Sequence, residues 1–506
     1  MKRRDFTAAL VAATATAGCA TRTPAPATDP LRLDPARYTT QDLTVGGQTL
    51  RVRAFEGLPV VARPVEPAYQ ALNLFIPEAY FNGGRVGGYD ASTAPIFLPN
   101  GVGGYMPARP GTLVNRMPPP PGQAAAPSAS AMALSRGFIV AAPGARGRTL
   151  QAANGRWTGK APAAIVDLKA AVRWLRHNAA HMPGDMERIV SNGTSAGGAL
   201  SALLGASGNH PDYEAELQAL GAASARDDVF AVSAYCPITN LAHADEAYEW
   251  QFEGLREYRN VATSMLDFRV QRQEVRSALT DTQMSWSAEL RAAFVAYVNG
   301  LGLRAPDGGP LALQVDGHGS LRTHIKELLK TAAQRAADGG QNLSQANTHA
   351  GVLTLQGRQV VDLDFDAYVR SVGRMKGQPA FDGLALETGE NQLFGDARTD
   401  KRHFTAFAAA HSSVAGALRA DEHTVRTMDA MQQLGDRRSR VAGHWRIRHG
   451  SADRDTSLAV PALLAAAARE RGATVDLALP WGRPHSGDYD LDQLFDWLQA
   501  RLQAPR

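Results

Sequence analysis

Polar and apolar residues alternate over residues 43–54 across Gly46-Gly47, the period of a two-stranded hairpin. Short apolar runs at 94–98, 137–142, 188–191 and 229–235 have the length of strands buried on both faces. Between them Ile165, Leu168, Ala171, Val172 and Leu175 recur at helical spacing within 161–177, and Ala196–Ala206 reads as a small-residue helix. This alternation of strand and helix predicts a mostly parallel α/β sheet. From about 249 to 438 the pattern changes to amphipathic helices, such as 287–299 and 324–337, with few strand signals. It then reverts to strand 444–448, helix 456–471, strand 474–479 and helix 491–502. A helical block inside an α/β order predicts an inserted lid: core 41–250, lid 251–438, core 439–506.

The chain has 506 residues, enough for a large core, and 44% of them are hydrophobic, which excludes a disordered or fibrous protein. Net charge is +4, with 53 basic and 49 acidic residues, so no nucleic-acid partner is implied. Two cysteines, Cys19 and Cys236, exclude a disulfide scaffold or a cysteine-rich zinc module. Residues 1–19 read as an export signal, with Arg3-Arg4 and Phe6 resembling a twin-arginine type. Two processing readings stand: cleavage after Ala17, or a lipobox at Ala17-Gly18-Cys19 with Cys19 lipidated to give a membrane anchor. Thr16 occupies the position where a lipobox usually carries leucine. A Pro/Thr/Ala linker, 20–40, suits a tether. The expected location is the periplasm or its membrane surface. The low-complexity segment 118–130 reads as an exposed excursion.

Gly193-Thr-Ser-Ala-Gly197 lies between an expected strand and an expected helix. A serine on such a sharp turn needs small neighbours, and the following N–H, at the helix start, can stabilise an oxyanion. Ser195 is therefore the candidate nucleophile and Ala196 one oxyanion donor. Serine needs a base, and on a sheet of this kind the acid and then the histidine follow in chain order. His485 sits in a loop after strand 474–479. Asp453 and Asp455 follow strand 444–448, and Asp455 fits better as the N-cap of a helix starting at 456, which leaves Asp453 for the triad. Asp488 and Asp490 read as the start of the last helix, and His449 as a support for its strand end. Gly103-Gly104 follows the strand at 94–98, and Gly104 is the second oxyanion candidate.

Several stretches resemble bacterial tannases (tannin acylhydrolases) of the Lactobacillus type: Asn192-Gly-Thr-Ser-Ala-Gly-Gly198, Ala234-Tyr-Cys-Pro-Ile-Thr-Asn-Leu241, Ala247-Tyr-Glu-Trp-Gln-Phe252, Trp445-Arg-Ile-Arg-His-Gly-Ser-Ala-Asp-Arg-Asp-Thr-Ser457 and Pro484-His-Ser-Gly-Asp-Tyr-Asp490. The likeness runs from about 43 to 497. It implies an α/β-hydrolase fold with a large lid, hydrolysis of galloyl esters, and no metal or organic cofactor. It places the triad on Ser195, Asp453 and His485 and the oxyanion glycine on Gly104. It places contacts to the galloyl hydroxyls on Lys376 in Arg374-Met-Lys, on Glu390 in Glu390-Asn-Gln-Leu-Phe-Gly-Asp396 and on Asp455, with an apolar ring contact on Ile238. Gly389 stands where the Lactobacillus enzyme has proline, which implies a looser loop under Glu390. The implied partner is a small phenolic ester. Two alternatives follow: a feruloyl or broad carboxylesterase, and a non-catalytic polyphenol-binding protein, which would not need all three triad members.

Overall fold

Gly46 and Gly47, at φ 56° and 80°, close the first hairpin of the computed structural model. Two successive left-handed residues give the turn the twist of its flanking strands, β1 (Thr39–Val45) and β2 (Gln48–Pro59), which pair antiparallel with Val45 opposite Gln48. The structure describes residues 29–113, 127–266, 269–343 and 351–503. The export signal with Cys19, and 118–126 of the low-complexity segment, lie outside these. Met1–Pro30 and Leu31–Arg506 are separate units, and all that follows concerns the second.

The other strands in chain order are β3 (Ala71–Pro77), β4 (Pro95–Pro99), β5 (Ile139–Pro143), β6 (Asp185–Thr194), β7 (Ala231–Tyr235), β8 (Glu257–Leu266), β9 (Arg269–Ala278), β10 (Leu353–Gln356), β11 (Gln359–Leu363), β12 (His444–Arg448) and β13 (Thr474–Ala478). Nine form one sheet in the order β1-β2-β3-β5-β4-β6-β7-β12-β13. β3 pairs antiparallel with β2 and β5, and from β5 to β13 every neighbouring pair is parallel. This is the mostly parallel sheet expected from the alternating pattern. β3 was not foreseen, although all seven of its residues are buried.

Helices cover both faces. Ala163–His177, Ala196–Ala206 and Ala459–Glu470 pack into one apolar layer. Ala129–Ser135 and Leu491–Leu502 pack into the other, where Phe495 meets Phe97 and Phe138 at ring-centroid distances of 5.3 Å. None of the helices of the described residues is long and apolar enough to cross a membrane.

After β7 the chain leaves the sheet and returns at β12, directly beside β7, with His444 opposite Ala231 and Arg448 opposite Tyr235. The excursion contains long helices at Asp281–Leu301 and Ser320–Asp338. The first is held at its start by a capping box between Thr280 and Gln283. The excursion also contains two hairpins, β8–β9 and β10–β11, which the helical periodicity did not announce. A buried ion pair ties it to the helix that follows β7: Arg374 bonds both oxygens of Glu249, and Ser287 donates to the same carboxylate at 2.6 Å. The loops after β4, β6, β7, β12 and β13 all open at the carboxyl edge of the parallel strands, where ligand sites form in open α/β sheets.

Candidate active site

β6 ends at Thr194 and the next helix begins at Ala196, so Ser195 alone makes the turn, at φ 62° and ψ −123°. That backbone costs about 1–3 kcal/mol for a residue with a Cβ and persists only where surrounding bonds impose it. Ser195 N donates to Tyr235 O at 2.9 Å, and Ser195 O accepts from Ala199 N at 2.9 Å. The flanking glycines allow close approach. A Cβ on Gly193 would stand 2.3 Å from Gly197 O, and one on Gly197 would stand 2.7 Å from both Asn100 Oδ1 and Val102 O. Asn100, which sequence reasoning missed, ties the loop after β4 to this turn. Its Nδ2 donates to Asn192 O at 3.2 Å, Gly197 O at 3.0 Å and Ser201 Oγ at 2.9 Å. Gly104 lies in that loop at φ 55°. The N–H groups of Gly104 and Ala196 have no protein acceptor among the described residues.

The loops after β12 and β13 bring Asp453 and His485 together. Asp453 is 1% exposed, and its Oδ2 lies 2.7 Å from His485 Nδ1. Its Oδ1 accepts from Asp455 N at 2.9 Å. Asp455 does not cap a helix from 456, as its position in the sequence suggested. The helix starts at Ala459 with Leu458 at its N-cap, and Gln251 Oε1 accepts from Leu458 N at 2.7 Å. The Asp455 carboxylate instead lies 3.4 Å from His485 Nδ1. Burial opposes the charge on His485, but the hydrogen bonds of Asp453 and Cys236 and the charges of Asp453 and Asp455 outweigh it and raise the imidazole well above its ordinary value. Burial likewise opposes the Asp453 charge. The neighbouring His449 and His485 imidazoles and the Asp455 N–H nevertheless hold its carboxyl below the usual carboxylate range.

Asp488 and Asp490 are engaged elsewhere. Asp490 stands at the N-cap of the last helix without capping it; it accepts from Tyr235 Oη at 2.6 Å and pairs with the buried Arg446. Asp488 accepts from Asn192 Nδ2 at 3.2 Å. The Ser195 hydroxyl and His485 are not joined by a hydrogen bond among the described residues, a bond that in unliganded sites often tightens only around substrate.

Ile238 adjoins Ser195, and Lys376 adjoins Asp455. Ile238 N approaches Ser195 O at 3.5 Å, and Ile238 O accepts from Tyr105 Oη at 3.2 Å. Lys376 Nζ lies 4.0 Å from Asp455 Oδ1 and 3.9 Å from the centroid of the Phe381 ring. Tyr248, also missed from sequence, sets the Lys376 loop against the Asp453–Asp455 loop. Its hydroxyl accepts from Met375 N and Lys376 N at 3.0 Å and donates to Arg454 O at 3.1 Å.

Glu390 sits in the short helix Gly389–Leu393, started by a capping box between Thr388 and Asn391. Gly389 leaves room for Arg148, whose guanidinium carbon is 3.1 Å from where a Cβ would be. Arg148 in turn donates to Gly104 O at 2.8 Å and to Gln392 Oε1, and the charge of Glu390 acts on it. The turn carrying Glu390 is thus bonded at both ends, and Arg148 links its Gln392 to Gly104. Arg148 had no motif to mark it.

The BD-FAE family model matches residues 124–281. Two curated esterases of Mycobacterium tuberculosis match short stretches: LipC, 47% identical over 62 residues, and LipQ, 35% identical over 97. These alignments span only 14% and 22% of their lengths. Solved structures match far more fully. The tannase of Lactobacillus plantarum is 44% identical, with a TM-score of 0.88, 94% of this chain and 100% of that chain covered. The tannase of Fusobacterium nucleatum is 42% identical, with a TM-score of 0.87 and coverage of 94% and 99%. A tannin acyl hydrolase in complex with ethyl gallate is 44% identical, with a TM-score of 0.84 and the same coverage.

Proposed function

We infer that this chain, which belongs to the bacterial tannase family, is a carboxylic ester hydrolase that cleaves galloyl esters and releases gallic acid. The observation that carries its chemistry is the Asp453–His485 pair at 2.7 Å, set at the same sheet edge as a serine in a strained strand-to-helix turn. Ser195 Oγ attacks the ester carbonyl while His485 Nε2 takes its proton, and Asp453 holds the ring through Nδ1 and stabilises the imidazolium. The carbonyl oxygen, now an oxyanion, is held by the N–H groups of Gly104 and Ala196. Collapse of the intermediate breaks the ester C–O bond, and His485 returns the proton to the leaving alcohol. Water then attacks the galloyl-serine with His485 as base, and gallic acid departs.

Specificity is read at the phenolic end. Vicinal hydroxyls present donors and acceptors, matched by the Lys376 ammonium and the Glu390 and Asp455 carboxylates, with Ile238 against the ring. A charged group left without its hydrogen bond loses roughly 1.5–3 kcal/mol. Glu390→Ala is therefore expected to lower kcat/KM for propyl gallate by about tenfold or more while changing p-nitrophenyl acetate little, because Ser195, Asp453 and His485 are untouched. Equal losses on both esters would remove Glu390 from galloyl reading.

His485 can accept a proton only when neutral. Its raised pKa therefore places the acidic limb of the kcat/KM profile above the ordinary imidazole value of about 6.5. Asp455→Asn removes one charge that raises it, so the limb moves to lower pH even as gallate affinity falls. A limb that stays in place, followed with p-nitrophenyl acetate, contradicts the assigned coupling.

Export is proposed from the first 19 residues. Arg3-Arg4→Lys-Lys is expected to retain the protein in the cytoplasm on cell fractionation, and Cys19→Ala to release it from membranes if that cysteine is lipidated. Membrane association unchanged by Cys19→Ala would favour cleavage after Ala17.

A further inference from the structure

We propose that Cys236, His449 and Asp453 form a binding site for a thiophilic divalent cation, zinc or cadmium, immediately behind the Asp453–His485 pair. The topology brings them together. β7 and β12 run parallel with Tyr235 opposite Arg448, so the first residues beyond the two strands, Cys236 and His449, fall side by side. Cys236 N donates to Arg448 O at 2.6 Å, which locks that register past the strand ends. Asp453 lies one turn of chain beyond His449. The ligand atoms of the three residues all lie within 4.8 Å of one another, and all three side chains are buried.

The observation that points to a ligand is His449. It has no exposed surface, and neither ring nitrogen has a hydrogen-bond partner among the described residues; the nearest carboxylate oxygen, Asp453 Oδ2, is 3.7 Å from Nε2. A buried imidazole with both nitrogens unsatisfied is costly, and the sequence-based role of supporting the strand end does not account for it.

The donor set of one thiolate, one imidazole and one carboxylate is the kind zinc and its heavier congener take. With metal–ligand bonds of about 2.0–2.3 Å, ligand atoms around a tetrahedral ion stand roughly 3.3–3.8 Å apart, so closure requires shifts of only about 1 Å. Binding releases one proton, from the Cys236 thiol to solvent. The dication, the thiolate and the carboxylate then sum to zero charge, so no net charge is buried. His485, 27% exposed, is hydrogen-bonded to Asp453 beside the site. Once Asp453 turns to the cation it no longer holds His485, so occupancy suppresses ester hydrolysis. This last consequence rests on the role assigned to Asp453 above; the binding itself does not.

The test is titration of the full chain carrying Cys19→Ala, in which Cys236 is the remaining thiol, with cadmium chloride. Calorimetry and the ultraviolet thiolate-to-cadmium charge-transfer band report binding directly. One equivalent bound with the band present is expected, with the band abolished in Cys236→Ser and the affinity lowered at least tenfold in His449→Gln. No band, a band that survives Cys236→Ser, or an affinity unchanged in a folded His449→Gln variant overturns the site. Cys236→Ser changes a single atom and decides the matter alone if His449→Gln does not fold. In parallel, cadmium should inhibit hydrolysis of p-nitrophenyl acetate, reversed by EDTA, with each variant compared with its own metal-free rate. Stoichiometric binding without inhibition would uphold the site and count against Asp453 as the partner of His485.

Discussion

Ser195→Ala is expected to lower kcat for propyl gallate by on the order of 10⁴- to 10⁶-fold while gallate still binds. At φ 62° the serine occupies backbone that only a dense bond network imposes, and the protein maintains that strain at one residue between β6 and its helix. The side chain is small, so removing its oxygen leaves the turn, the Gly104 and Ala196 N–H groups and the galloyl contacts in place. Rate should therefore collapse without a matching loss of affinity or of thermal stability. Equilibrium binding of gallate and single-turnover kinetics measure the two separately. A variant within tenfold of the wild-type rate would remove Ser195 from the chemistry.

Asp453→Asn is the second large effect, about 10⁴-fold in kcat, because the amide neither stabilises an imidazolium nor enforces the tautomer that leaves Nε2 free to accept. The instructive comparison is Asp490→Asn. Asp490 balances the buried Arg446, so its loss leaves an uncompensated interior charge, expected to destabilise the fold by about 3–5 kcal/mol. Its effect on kcat of the folded fraction should stay within tenfold. One aspartate thus alters rate with little change in melting temperature, and the other the reverse. The opposite pattern would place the triad acid on the wrong loop.

These assignments were legible in the sequence because they rest on local signals. Small residues around Ser195, apolar runs of strand length and the chain order of serine, aspartate and histidine point to the carboxyl edge of the sheet. What was not legible depends on distant partners. The helix after Asp455 is started by Gln251, 207 residues from the N–H it accepts, so a local rule for N-caps misplaced its beginning and gave Asp455 a structural role. β3 is a short run ending in proline, with turn signals on both sides that hid it. The β8–β9 hairpin lies outside the main sheet, with a single bridge from Tyr258 to Arg374, and its sequence is polar at alternate and adjacent positions alike, so neither face left a periodic imprint. Asn100 and Arg148 act through bonds between loops that only the fold juxtaposes. The resemblance of the segments around Lys376 and Glu390 supplied candidates that periodicity could not, since neither residue belongs to a local motif. It also suggested a looser turn at Gly389, beside which the structure places the Arg148 guanidinium.

The most direct test of the account is kcat/KM of the wild-type protein on propyl gallate and on methyl ferulate, measured side by side. A ferulate methoxy group donates no hydrogen bond and adds bulk at the phenolic end that Lys376, Glu390 and Asp455 are proposed to read, so discrimination of about a hundredfold or more in favour of gallate is predicted. Equal rates, or a preference for ferulate, would contradict galloyl ester hydrolysis as the function of this site.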